Sequence, residues 1–227
     1  MAASQSIWLL RHGATEWSRN GRHTGTSDIP LLPEGEEEAK ALAPRLRDQA
    51  FAQVWVSPLQ RARRTCELAG LSDRAEVHQD LREWDYGDYE GITTKEIRQT
   101  VPNWSVWSHG CPGGEDAAAV TARCQRLIDQ LLTIEGDVAL FAHGHILRSL
   151  AGTWMQQGAC GGKHLILGTG TYSVLGFELS AVCFGGPEEQ LAQTVVTQPA
   201  VFVHSVAACE LLVSRGITPS VVAGHRL

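Results

Sequence analysis

Ile7-Trp8-Leu9-Leu10-Arg11-His12-Gly13 sets four apolar residues in an unbroken row directly before an arginine, a histidine and a glycine. A short continuous apolar run of this kind predicts a strand buried on both faces. Its abrupt end in polar residues and a glycine predicts that the strand's carboxyl end opens into a loop. The same pattern recurs twice: Val54-Trp55-Val56 runs into Ser57-Pro58, and Asp137 to Ala142 runs into His143-Gly144-His145. Thr171 to Glu178 reads as a final strand.

Helical segments are expected between these runs. Pro33-Glu34 opens one, with Glu36, Glu37 and Glu38 in its first turn, where the helix dipole favours acid, and with Ala39, Leu42, Ala43 and Leu46 as its apolar face. Others are predicted from Gln60 to Leu71, near Thr93–Thr100, from Glu115 to Ile134, and from Ile146 to Met155. Gly21 to Pro33 and the stretch through Cys111-Pro112-Gly113-Gly114 read as loops. Strands alternating with helices predict an α/β fold of three α/β/α layers around a mostly parallel central sheet. In such sheets chemistry collects at the carboxyl ends of the strands. His12, Ser57 (followed by Arg61) and His143 all fall at such ends.

Composition narrows the partners. The chain has 227 residues and a net charge of −6, which argues against a nucleic-acid surface, since those show a basic stripe. An anion must therefore be met by a local cluster of positive charge. Lysine is scarce (Lys40, Lys95 and Lys163) and arginine supplies the rest. Arginine suits bidentate contact with phosphate oxygens, although a GC-rich genome produces the same excess. The six cysteines, Cys66, Cys111, Cys124, Cys160, Cys183 and Cys209, show neither a C-x-x-C nor a zinc-type spacing and read as reduced thiols of a cytoplasmic protein. The first residues lack the basic and apolar regions of a signal peptide, and no apolar stretch approaches the ~18 residues of a membrane span.

The strand ends carry the candidate chemistry. A neutral imidazole at His12 is a competent nucleophile toward phosphorus, and the adjacent Arg11 can hold phosphoryl oxygens. Ser57-Pro58-Leu59-Gln60-Arg61 opens a helix with an arginine in its first turn, a favourable place for an anion. Arg63 and Arg64 read instead as a solvated basic face. His143 and His145 invite a metal reading, but no carboxylate or cysteine at the usual spacing completes a ligand set. A second charged donor beside a phosphate is the better reading of His143, with His145 in a supporting role. The segment Asp80-Leu81-Arg82-Glu83-Trp84-Asp85-Tyr86-Gly87-Asp88-Tyr89-Glu90-Gly91 is dense in carboxylates, one of which could protonate a leaving alcohol; composition does not say which.

The ordered motifs LLRHGATEW, SPLQRARRT, LREWDYGDYEG, PGGE and FAHGHILR resemble the histidine phosphatase superfamily, the phosphoglycerate mutase-like fold, over about Ser6 to Glu178. REWDYGDYEG, NWSVWSHGCPGGE and HTGTSDIPL are similar to a sub-group that includes fungal sedoheptulose-1,7-bisphosphatase and bacterial acid phosphatases. The resemblance implies a phosphatase of sugar or other small-metabolite phosphates, working through phosphohistidine with no metal and no cofactor. It makes His12 the nucleophile, Arg11, Arg61 and His143 the phosphoryl-binding groups, and Glu83 the general acid and then base, with Trp84 and Tyr86 withdrawing it from water. Ser18, Thr24, Gly25 and Gly144 are implied to lie near the substrate. The partner expected is a phosphorylated small molecule, with no nucleic acid and no membrane; a homo-oligomer is compatible with the reading.

Two alternatives compete. A phosphoglycerate-type mutase must shield its phosphoenzyme from water, and only about twenty residues between Gly91 and Gly113 are available for a lid. A non-catalytic scaffold is disfavoured because the whole set of candidate residues is present. After about residue 180 the pattern stops. The expected division is a phosphatase domain over 1–180 and an extension over 181–227, in which TQPAVFVHSVAACELL and GITPSVVAGH resemble part of a malonyl/acyl-CoA:ACP acyltransferase. Arg226 stands where that family places its nucleophilic serine, so no acyltransferase activity is expected.

Overall fold

The structure, a computed structural model, describes residues 5–176. The acyltransferase-like stretch, with Cys183 and Cys209, lies outside the described residues.

Five strands form one sheet: β1 (Ser6–Arg11), β2 (Phe51–Val56), β3 (Ala75–Val77), β4 (Asp137–Ala142) and β5 (Tyr172–Gly176), in the order β3-β2-β4-β1-β5. β1 pairs with β4 and β2 with both β3 and β4, all in parallel. Among the described residues seven α-helices accompany them: α1 (Glu16–Asn20), α2 (Pro33–Leu46), α3 (Gln60–Leu68), α4 (Thr94–Thr100), α5 (Val106–His109), α6 (Ala117–Leu131) and α7 (Gly144–Trp154).

The two-residue period of a strand sorts the apolar runs into two cores. Ile7, Leu9, Val138, Leu140 and Ala142 face one way, onto Val120, Leu127, Leu131, Leu147 and Leu150 of α6 and α7. Trp8, Leu10, Ala139 and Phe141 face the other, onto Leu42, Leu46, Ala62 and Cys66 of α2 and α3. Helices on both faces make the three α/β/α layers that the sequence predicts.

Local chemistry fixes the helix ends. Pro33 occupies the first turn of α2, with Glu34 and Glu36 beside it. α3 stops at Leu68, three residues short of the predicted Leu71, because Gly70 turns left-handed at φ 81°. α6 begins at Ala117, two residues later than predicted: Asp116 accepts from the Ala119 N–H at 2.8 Å and caps it. Glu115 is thereby outside the helix and free for another role.

Register brings the strand ends level. Arg11 pairs with Ala142 and Val56 with Phe141. The next residues continue the ladder, the His12 N–H donating to Ala142 O at 3.0 Å and the Ser57 N–H to Phe141 O at 2.9 Å. His12, Ser57 and His143 thus emerge side by side on one edge of the sheet.

Candidate active site

His12 is almost wholly buried, and its Nδ1 lies 2.7 Å from Gly13 O. A carbonyl can only accept, so Nδ1 carries the proton. Burial, followed by the charges of Arg61 and Arg11, pushes the imidazole's pKa well below its usual value. The ring is therefore neutral near pH 7, with its lone pair on Nε2. Close packing fixes the turn that carries it: a Cβ on Gly13 would come within 2.0 Å of Gly35 O, so α2 can approach only because both residues are glycines.

His143 is fully buried, its ring centre 5.2 Å from that of His12. Arg61 Nε donates to its Nδ1 at 3.1 Å, which leaves Nε2–H to donate to Ser57 Oγ at 2.7 Å. Burial and the charge of Arg61 lower its pKa well below normal. Arg61 is also fully buried. Besides His143, it donates to Ser27 O at 2.8 Å, Thr24 O at 3.0 Å and Gly25 O at 3.2 Å. Most of its donors therefore hold the 24–27 loop.

Arg11 donates from Nη1 to Leu167 O at 2.6 Å, while its Nε is buried with no acceptor among the described residues. A buried donor left without a partner calls for a ligand or water. Gly144 makes room for this guanidinium: a Cβ there would lie 3.1 Å from Arg11 Cζ.

Glu83 is buried at the mouth of α7. Oε1 accepts from the Trp84 and Ile146 N–H groups at 2.9 and 2.8 Å, and Oε2 from His145 N–H at 2.9 Å. Oε2 thus retains a lone pair with no protein donor among the described residues. Arg123 holds the segment behind it. It pairs with Glu115 at 2.6 Å and donates to Asp80 O, Arg82 O and Glu83 O at 2.9, 2.6 and 3.4 Å. Trp84 Nε1 adds a bond to Glu115 O at 2.9 Å. Three other carboxylates of this segment are committed elsewhere. Asp80 pairs with Arg126, Asp85 accepts from Gly87 N–H, and Glu90 accepts from Gly25 and Ser27 N–H.

A cavity of about 180 Å³ is lined by Arg11, His12, Ser18, Gly21, Arg22, His23, Thr24, Glu83, Tyr86, Gly144, His145 and Arg148. Of the sequence candidates, Arg11, His12, Ser18, Thr24, Glu83 and Gly144 line it. Arg61 and His143 sit behind His12 and connect to it through the ring contact. Gly25 does not line it, because Glu90 draws its N–H away. The Ser18 hydroxyl is occupied in the capping box of α1, accepting from Thr15 N–H at 2.8 Å and donating to Thr15 O at 2.9 Å. Tyr86, expected beside Glu83, lines the cavity too, whereas Arg22, His23 and Arg148 were not singled out from sequence, since their contribution depends on how separate segments meet. A larger groove of about 670 Å³ beside β3 is lined by none of the candidate residues.

The chain belongs to the histidine phosphatase superfamily, branch 1, whose family profile matches residues 7–182. It is 39% identical over 176 residues to an acid phosphatase of Mycobacterium tuberculosis, spanning 76% of this chain and 86% of that protein. It is 36% identical over 182 residues to the sedoheptulose 1,7-bisphosphatase of Saccharomyces cerevisiae, spanning 66% and 67% respectively. The solved structure of a Mycobacterium tuberculosis open reading frame product superposes with a TM-score of 0.74 at 38% identity, covering 77% of this chain and 92% of that one. That of a putative α-ribazole-5′-phosphate phosphatase of Escherichia coli gives 0.68 at 27%, covering 76% and 90%.

Proposed function

We propose that the protein hydrolyses phosphate monoesters of sugars or other small metabolites through a phosphohistidine at His12. One observation carries this reading: the His12 ring is neutral and anchored through Nδ1–H to Gly13 O, which leaves Nε2 as a nucleophile fixed in place. Nε2 attacks phosphorus in line as the ester P–O bond breaks. Glu83 passes a proton to the departing alkoxide, and the positive charge that grows on the ring is shared with Gly13 O. Glu83 then takes a proton from water, whose oxygen attacks phosphorus; the P–N bond breaks and phosphate leaves. Arg11, with Arg61 and His143 behind it, balances the charge on the phosphoryl oxygens, so the chemistry requires no metal.

Ser18, Thr24 and Gly144 border the substrate, while Gly25 acts through the loop that Glu90 and Arg61 hold. The site belongs to a phosphatase domain over 1–180 working in the cytoplasm, with 181–227 as an appendage. Mutase activity is the weaker reading: the two relatives described above are named as phosphatases, and the stretch from Gly91 to Gly113 is short for a lid.

Release of p-nitrophenol from p-nitrophenyl phosphate in EDTA is the test. Turnover by wild type and loss in His12→Ala is expected, and equal release by both contradicts the reading. Conversion of 3- to 2-phosphoglycerate faster than hydrolysis would favour the mutase. Deleting 181–227 should leave turnover within several-fold; loss of folding would end the appendage assignment.

A further inference from the structure

The peptide that anchors the nucleophile is itself anchored by a carboxylate. His12 Nδ1–H donates to Gly13 O, and the N–H of the same peptide unit, that of Ala14, donates to Glu38 Oε2 at 2.8 Å. Carboxylate, peptide and imidazole therefore stand in one hydrogen-bonded row. Bonds made at the two ends of a peptide polarise it in the same sense and strengthen each other. A bond to an ionised acceptor is also about twice as strong as a neutral one.

The neighbouring peptide groups are held differently. His12 N–H donates to Ala142 O at 3.0 Å, Gly170 N–H to His12 O at 3.0 Å, Gly13 N–H to Thr65 Oγ1 at 3.1 Å and Leu32 N–H to Ala14 O at 2.9 Å. Every one of these partners is neutral; Glu38 alone brings a carboxylate to the turn. It also departs from the other acids that open α2. Glu34, Glu37 and Glu36 pair with Arg19, Lys40 and Arg64, whereas Glu38 makes no ion pair among the described residues. Its place near the start of α2 suits the helix dipole but does not account for its bond back to Ala14. Packing confines that bond: a Cβ on Gly170 would lie 3.1 Å from Glu38 Oε2, and one on Gly35 would lie 2.6 Å from Ala14 N.

We propose that Glu38 is a positioning residue for phosphoryl transfer, which acts through the Gly13–Ala14 peptide to hold His12 and to strengthen Nε2 as a nucleophile. The proposal rests on the phosphohistidine reading and adds a residue to it. As the Nε2–P bond forms and the ester P–O bond breaks, the ring gains positive charge and its proton stays on Nδ1, while Glu83 protonates the departing oxygen. A more strongly polarised Gly13 O stabilises that charge and speeds phosphorylation of the enzyme. The same stabilisation makes the ring a poorer leaving group in the second step, so the two steps respond to Glu38 in opposite senses.

The test separates those steps. Glu38→Gln keeps an oxygen that can accept from Ala14 N–H and removes the charge; Glu38→Ala removes both. Single-turnover release of p-nitrophenol from p-nitrophenyl phosphate, with enzyme in excess, reads phosphorylation. Decay of the phosphoenzyme after substrate is exhausted reads hydrolysis. Exchanging a charged for a neutral acceptor should slow phosphorylation about 3- to 10-fold in Glu38→Gln, and losing the acceptor should slow it about 10- to 100-fold in Glu38→Ala. Hydrolysis should be unchanged or faster in both, and substrate affinity should stay within about twofold, because Glu38 touches the ring only through a peptide. In the free protein, nuclear magnetic resonance of the His12 Nδ1 proton should show an upfield shift in Glu38→Gln as its bond to Gly13 O weakens. Should Glu38→Ala fail to fold, Glu38→Gln decides alone. Equal slowing of both steps, or a His12 proton resonance unmoved by Glu38→Gln, would overturn the proposal. Absence of p-nitrophenol release by wild type would instead sink the phosphatase reading, and the resonance would still decide whether Glu38 acts on His12.

Discussion

Replacing Arg123 with methionine tests how Glu83, the proposed proton-transfer carboxylate, is held. The guanidinium is buried against Glu115, with bonds of 3.0 and 2.6 Å, and it bonds the carbonyls of Asp80, Arg82 and Glu83. Arg123→Met removes all of these and leaves the Glu115 carboxylate with Asp85 N–H as its partner. Breaking a buried pair by removing one member costs about 3–5 kcal/mol. For a chain of this size each kcal/mol lowers Tm by about 2–4 °C, so a fall of about 6–20 °C is expected. Thermal unfolding followed by circular dichroism measures it. Measured well below the transition, kcat should also fall by at least about tenfold, because the Asp80–Glu83 segment loses its anchor. A double-mutant cycle with Glu115→Gln should show coupling in the range of about 0.5–3 kcal/mol. A destabilisation below about 1 kcal/mol, or additive effects in the cycle, would refute this account of how Glu83 is positioned.

Two further outcomes follow from the buried histidines. In the free protein His143 accepts from Arg61 through Nδ1, so donating to a phosphoryl oxygen through that atom requires a proton. Calorimetric titration with sulfate at pH 7 in buffers of different ionisation enthalpy should show uptake of about one proton, reduced in His143→Gln; equal uptake by both proteins would contradict it. His23, packed against Tyr86 and Trp104, is held by burial at a pKa of about 4 instead of 6.5. A depressed histidine gives stability that is complete above pH 6.5 and is lost as pH falls toward 4. Between pH 7 and 5 this amounts to about 2 kcal/mol, readable by urea unfolding. His23→Phe should flatten that slope, and an unchanged slope would show that the proton-linked loss arises elsewhere.

What could be read from the sequence follows its physical signals. β4 runs over the predicted Asp137–Ala142 because continuous apolar runs buried on both faces leave no ambiguity of length. α1 buries no residue and so has no apolar period to detect; its signal is the Thr15/Ser18 capping box. β3 and α5, at three and four residues, are too short for any period to show. The sequence reading began α6 at Glu115; Asp116 caps it instead, and Glu115 pairs with Arg123. Among the carboxylates of residues 80–91, composition does not choose one and the family resemblance names Glu83, the one carboxylate in the lining of the cavity. Arg61 was legible as a buried-site arginine by motif, but its hold on Ser27, Thr24 and Gly25 carbonyls was not, since loop closure brings those atoms together. Arg22 and His23, Tyr86, and Arg148 come from three separate segments and acquire meaning when these meet around one cavity.

The central claim is that His12 Nε2 forms the covalent intermediate. Rapid quenching of wild type with a phosphate monoester into alkali, which preserves phosphohistidine, followed by mass spectrometry of the peptide containing His12, tests it most directly. The account predicts a phosphoryl group on His12 that accumulates when Glu83→Gln slows hydrolysis and is missing from His12→Ala. Turnover with no phosphoenzyme, or a phosphoryl group on any other residue, would contradict it.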